Sequence, residues 1–154
     1  MFSYLTRMNR NGPIIIIEDD PDDQFILTQV FKKLAYPNAI SFFSDGQKAL
    51  DYLNGSDVIP FLIISDINMP KLNGFALRDK IKMDAKLQLK CIPYLFFSTA
   101  ISQDAVIRAY SQSVQGFFIK QTSFDEIEKT IRVIMEYWKT CASPNNFHER
   151  PVED

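Results

Sequence analysis

Three acidic sites and one lysine in this chain stand where short apolar runs end. Glu18 and Asp19 follow Ile14-Ile15-Ile16-Ile17, Asp66 follows Phe61-Leu62-Ile63-Ile64-Ser65, and Lys120 follows Gly116-Phe117-Phe118-Ile119. If these runs are parallel strands of one sheet, their carboxyl ends share one edge, the edge at which open α/β sheets bind ligands. Three carboxylates and an ammonium then meet in one cleft. Crowded carboxylates repel one another unless a proton or a cation relieves them, and a hard divalent cation with oxygen ligands does so. The pattern therefore predicts a magnesium and phosphate site. Asp66 leads into Ile67-Asn68-Met69-Pro70-Lys71-Leu72-Asn73-Gly74. A rigid proline turn with a permissive glycine can hold such an aspartate at the sheet edge as a fixed nucleophile.

The other acids of Glu18-Asp19-Asp20-Pro21-Asp22-Asp23 have a structural explanation. Asp20 before Pro21 fits a helix N-cap followed by the favoured first-turn proline, and Asp22 and Asp23 complement the positive end of the helix dipole.

Elements must bring these residues together. From Pro13 onward a short apolar run alternates five times with a longer segment of helical period, predicting strands at about 14–18, 39–44, 61–65, 93–98 and 116–119. The first helix carries Phe25, Ile26, Val30, Phe31 and Leu34 as a stripe to pack on a sheet. The second runs from Gly46 to about Leu53, the third follows Gly74, the fourth follows Ser102, and the fifth spans from near Ser123 to about Cys141. Strands alternating with helices imply right-handed crossovers, hence a doubly wound α/β fold with one five-stranded parallel sheet and helices on both faces. Residues 1–12 read as an N-terminal arm, 13–141 as one domain, and 142–154 as a C-terminal tail that contains His148.

Bulk properties exclude several classes. With 154 residues, 46% apolar and 13% aromatic, the chain suits one ordinary domain with a sizeable core. A net charge of −2 with no long basic run argues against nucleic acid as a partner. The apolar runs fall far short of the roughly 20 residues that span a bilayer, so no membrane insertion is expected. Cys91 and Cys141 have neither metal-ligand spacing nor a disulfide framework, which predicts reduced thiols and a cytoplasmic location.

Taken together, five motifs in order resemble the receiver domain of bacterial two-component response regulators, the CheY-like fold. They are the acid pair Glu18-Asp19, Asp45-Gly46 with Ala49-Leu50, Asp66 with Met69-Pro70 and Gly74, Ser98 ending the fourth strand, and Lys120 ending the fifth. The resemblance covers about residues 13–140. It implies that Asp66 accepts a phosphoryl group from a histidine kinase or phosphotransfer protein. It also implies that Asp19 binds Mg²⁺ directly, that Glu18 holds it through water, and that the Asn68 backbone carbonyl completes the protein ligands together with Asp66. Lys120 would pair with Asp66 and then with the phosphoryl oxygens. Ser98 would hydrogen-bond the phosphoryl group, and Phe117 would act as the aromatic switch. Glu18 stands where aspartate is more usual, Ser98 where threonine is, and Gln121 where proline is.

The fifth helix places Ile127, Ile131, Ile134 and Trp138 on one stripe and Val133, Tyr137 and Cys141 on a second line at spacing four. One face against a sheet does not need both lines. With Tyr110 nearby, the second line predicts that the fourth helix, fifth strand and fifth helix contact a downstream protein target or form a homodimer. The extension through Tyr137-Trp138-Lys139 toward Pro144 also resembles the ends of stand-alone receivers that partner bacterial phytochromes. With so few residues after the fifth helix, a stand-alone receiver is expected, itself not an enzyme. A haloacid-dehalogenase-like phosphatase would need an acid two residues after Asp66, where this chain has Asn68. A non-phosphorylated pseudo-receiver would be favoured if Asp66 or Lys120 were missing, and both are present.

Overall fold

The apolar runs form five strands: β1 (Ile14–Ile17), β2 (Ile40–Phe43), β3 (Leu62–Ser65), β4 (Tyr94–Ser98) and β5 (Gly116–Ile119). In the computed structural model, which describes residues 10–99 and 102–142, they make one parallel sheet in the order β2-β1-β3-β4-β5. The intervening and final segments are helices α1 (Pro21–Leu34), α2 (Gly46–Asn54), α3 (Gly74–Met83), α4 (Gln103–Ser111) and α5 (Phe124–Thr140). A single helical turn, Ala85–Gln88, follows α3. The doubly wound α/β architecture is the expected one, and every strand lies within one residue of its predicted bounds. Most of the expected N-terminal arm and nearly all of the expected tail, His148 included, lie outside the described residues.

The sheet is covered on both faces, which is why its central strands are apolar at consecutive positions rather than alternately. Ile14, Ile16, Leu62, Ile64, Leu95 and Phe97 point to the face covered by α1 and α5. Ile15, Ile17, Ile63, Tyr94 and Phe96 point to the face covered by α2, α3 and α4. Burial of each such isoleucine or leucine contributes about 1.5–3 kcal/mol. Every helix is capped by a side chain that accepts a backbone N–H of its first turn: Asp20, Asp45, Asn73, Ser102 and Ser123 in chain order. Each cap stabilises its helix by about 1 kcal/mol.

One expectation is corrected. Phe25 does not join the packing stripe of α1: it is 64% exposed, while Leu27, Val30 and Phe31 are buried. Residues 25, 26 and 27 are all apolar, but two positions of α-helix turn a side chain by about 200°, so Phe25 and Leu27 cannot both face the sheet. On α5 the core stripe is as expected at Ile127, Ile131 and Ile134, with Met135 also buried and Trp138 packed half-buried against them.

Candidate functional site

The strand order reverses direction between β1 and β3, and their carboxyl ends open the crevice there. Ile17 is in register with Ser65, so Glu18 and Asp66 leave the sheet side by side. Ser98 is in register with Ile119, so Lys120 follows immediately beside the end of β4. Backbone hydrogen bonds extend each pairing past the strand ends: Asp66 N donates to Ile17 O at 3.0 Å, Glu18 N to Phe43 O at 2.9 Å and Lys120 N to Ser98 O at 3.0 Å. Main-chain pairing therefore aims the three functional side chains before any of them touches another.

The loop after β3 holds Asp66 further. Its Oδ1 accepts the N–H of Ile67 at 2.7 Å, and Ser65 Oγ donates to its carbonyl at 2.7 Å. Gly74 closes the loop by donating its N–H to Ile67 O at 2.8 Å. A Cβ at Gly74 would lie 2.3 Å from the Asp66 carbonyl oxygen and 2.8 Å from the Phe96 ring. The glycine of the motif is thus required by close approach of two backbones.

Lys120 sits at the centre of the acids. Its Nζ lies 2.5 Å from Glu18 Oε2, 3.1 Å from Asp23 Oδ2 and 3.4 Å from Asp66 Oδ2. The expected pairing with Asp66 is present, but Glu18 is the nearest partner. Glu18 Oε1 accepts the N–H of Asp20 at 3.0 Å, so both of its oxygens are engaged. Burial pushes the Glu18 carboxyl up to about 7, and the neighbouring Asp66 charge adds to this, against the downward pull of Lys120 and the Asp20 N–H. Burial alone would lower the Lys120 ammonium; hydrogen bonding to Glu18 and the charges of Asp66 and Glu18 outweigh it and raise it above an ordinary lysine. Lys120 therefore stays charged at neutral pH.

Glu18, Asp19 and Asp66 can each place one carboxylate oxygen within 4.8 Å of the others, with Glu18 buried and Asp19 at the exposed mouth. One ammonium does not neutralise these three carboxylates and Asp23. All-oxygen donors of net negative charge suit Mg²⁺, and the residues present fit it. Asn68 lies two residues beyond Asp66 on the same loop with an exposed side chain.

Ser98 is fully buried at the end of β4. Phe117 is half-buried on the same face of the sheet, its ring centroid 6.0 Å from that of Phe96. Glu18, Asp19, Asp66, Asn68, Ser98 and Lys120 thus lie at or just beyond the carboxyl ends of the strands, whereas Phe117 lies within β5, in register with Phe96. Asp23 is the addition. Its charge suits the positive end of the α1 dipole, yet its carboxylate reaches Lys120 across 97 positions of sequence. The only signal for this was its place as the third residue of α1, on the turn next to the strand end.

The profile of the response regulator receiver domain matches residues 14–132. The chain belongs to this family. A relative, the probable methanogenesis regulatory protein FilR2 of Methanothrix harundinacea, is 32% identical over 129 residues, covering 81% of this chain and 82% of that protein. Two solved receivers share the fold closely. The phosphorylated cyanobacterial phytochrome response regulator RcpA has a TM-score of 0.79 and 25% identity, covering 87% of this chain and 99% of that one. The Mn²⁺-bound form of the Synechocystis response regulator Rcp1 has a TM-score of 0.76 and 26% identity, covering 86% and 99%. As a receiver domain the chain is a signalling module, and among the described residues no helix is long and apolar enough to cross a membrane.

Proposed function

We propose that this receiver accepts a phosphoryl group on Asp66 from a histidine kinase or a phosphotransfer protein and passes the signal on through the surface of α4, β5 and α5. The observation that carries this reading is the convergence of Glu18, Asp19, Asp66 and Lys120 at the β1/β3 crevice. A carboxylate oxygen of Asp66 bonds to phosphorus as the bond from phosphorus to the donor imidazole nitrogen breaks, and the departing nitrogen takes a proton from solvent. Asp66 Oδ1, held by the Ile67 N–H, fixes the orientation of the nucleophile. Lys120, charged and within reach of Asp66, offsets negative charge on the transferring group.

Asp19, Glu18, Asp66 and the Asn68 carbonyl would hold Mg²⁺. When bound, the ion neutralises charge shared by the carboxylates and the phosphoryl oxygens. The Mn²⁺ form of Rcp1 and the phosphorylated form of RcpA support this assignment. Ser98, at the end of β4, would hydrogen-bond the phosphoryl group, and Phe117 on the same sheet face would respond to its movement. The output surface is supported by exposed apolar side chains: Tyr110 on α4, Ile119 at the end of β5, and Val133 and Tyr137 on α5. A downstream protein or a second copy would cover them.

Incubation with a small phosphodonor and Mg²⁺, followed by mass spectrometry, tests the assignment. Labelling on Asp66 and none in Asp66→Asn is the expected result. Undiminished labelling in Asp66→Asn would overturn it.

A further inference from the structure

Lys120 has three N–H donors and three carboxylates around it, of Glu18, Asp23 and Asp66. Two of these acids belong to the group whose oxygens lie close enough to share a cation; Asp23 does not. Glu18 and Asp66 must divide their charge between Lys120 and any cation or phosphoryl group that enters. Asp23 has no such second duty. Its backbone is fixed independently, because its N–H is donated to the cap Asp20 Oδ1 at 3.3 Å. Its carboxylate is one-third exposed, whereas the Lys120 side chain is 5% exposed, so the acid reaches in from the rim to a buried ammonium. Asp22, one residue earlier, carries the same charge on the same turn and is exposed.

We propose that Asp23 is a positioning residue for Lys120: it anchors the ammonium on the α1 side of the crevice and keeps it within reach of Asp66 when Glu18 and Asp66 are otherwise engaged. The two distances express the arrangement, with Nζ held 3.1 Å from Asp23 and 3.4 Å from Asp66. Without Asp23 the flexible lysine stem loses the one anion that neither metal nor phosphoryl group claims, and the ammonium follows whichever charge is strongest. Asp23 acts through Lys120 and not by holding the metal. The proposal rests on Asp66 being the phosphoacceptor.

The test compares wild type, Asp23→Asn, Asp23→Glu and Asp22→Asn, measuring Mg²⁺ affinity and the rate of Asp66 phosphorylation by phosphoramidate at saturating Mg²⁺. Loss of a group that orients a functional side chain predicts that Asp23→Asn slows phosphorylation on the order of tenfold. Mg²⁺ affinity should fall by less than the rate does in that variant, because Asp23 is not among the acids whose oxygens can share the ion. Asp23→Glu should recover most of the rate, and Asp22→Asn should leave both quantities unchanged. A double-mutant cycle with Lys120→Met, read by urea unfolding without Mg²⁺ or donor, should be non-additive, the double variant losing less than the sum of the singles. Equal rates for Asp23→Asn and Asp22→Asn would overturn the proposal, as would an additive cycle or a parallel loss of Mg²⁺ affinity in Asp23→Asn. A wild-type protein left unlabelled on Asp66 would instead overturn the phosphoacceptor assignment, and the unfolding cycle would still decide whether Asp23 holds Lys120.

Discussion

Asp19 and Asp22 carry the same charge three positions apart, yet only Asp19 stands where its carboxylate can share an ion with Glu18 and Asp66. Ligand binding to the folded state alone stabilises it by about 2.7 kcal/mol at a hundred times the dissociation constant. Thermal unfolding of wild type at such a Mg²⁺ concentration should show that gain, and Asp19→Ala should show none. Asp22→Ala should keep the gain and lose only a helix-dipole contribution of about 0.3–1 kcal/mol. Ser98 tests the next step of the signal. Ser98→Ala should still be phosphorylated, because Asp66, Lys120, Glu18 and Asp19 are untouched, but it should not transmit the change to Phe117. Nuclear magnetic resonance with beryllofluoride checks this: wild type should shift around β5, and an identical shift pattern in Ser98→Ala would refute the coupling.

Elements place these residues, and Gly74 shows how tightly. It starts α3 against the backbone of Asp66, and the Phe96 ring closes the remaining space. Gly74→Ala must displace both, and overpacking of this kind costs about 1–3 kcal/mol. Urea unfolding should show that loss, and the phosphorylation rate should fall with it because the displaced backbone belongs to the loop that holds Asp66. The α1–α5 contact makes a second prediction. Glu128 accepts hydrogen bonds from Lys33 at 2.9 Å and Arg132 at 3.0 Å. The Lys33 hydrogen bond, helped by the charges of Lys33 and Arg132, draws its carboxyl below the ordinary value of 4.5 although burial opposes this. A carboxyl lowered by folding contributes stability above its unfolded value, lost as the pH falls through the folded one. Glu128→Gln should therefore be less stable than wild type at neutral pH, with the difference vanishing in acid below that ordinary value. Unfolding curves at neutral and acidic pH measure it.

In the whole molecule, uncovered apolar side chains include Phe25 on α1 and Met83 and Leu89 near the end of α3, and several more gather on the α4-β5-α5 face. Tyr110, Val133 and Tyr137 are each more than half exposed, and the last two lie on α5 outside the stripe that packs on the sheet. Tyr137 and Tyr110, together with Phe117 and Phe118, line a cavity of about 270 Å³. Phe117, the proposed switch residue, thus lines the same cavity as these exposed tyrosines. Self-association through it should strengthen with beryllofluoride and weaken in Tyr137→Glu, which places a charge among the apolar groups. Light scattering measures this, and a monomer under every condition would leave docking of a different protein as the output.

The strands were legible because each is a short apolar run bounded by polar residues, and burial on both faces demands that composition whatever lies around it. The acids and the lysine were legible because a carboxyl strand end is a local position: once β1, β3 and β5 are parallel neighbours in one sheet, Glu18, Asp66 and Lys120 must share its edge. Two things were not local. The rotation of α1 about its axis decides that Leu27 turns inward and Phe25 outward, and three consecutive apolar residues leave that rotation open until the helix meets the sheet. The contacts of Lys120 join it to Asp23 across 97 positions and to Glu18 across 102. A flexible ammonium goes to whichever carboxylates lie nearest in space. That choice belongs to how the first turn of α1 and the ends of β1, β3 and β5 meet in space, so the residue types came from the sequence and their pairing from the tertiary structure.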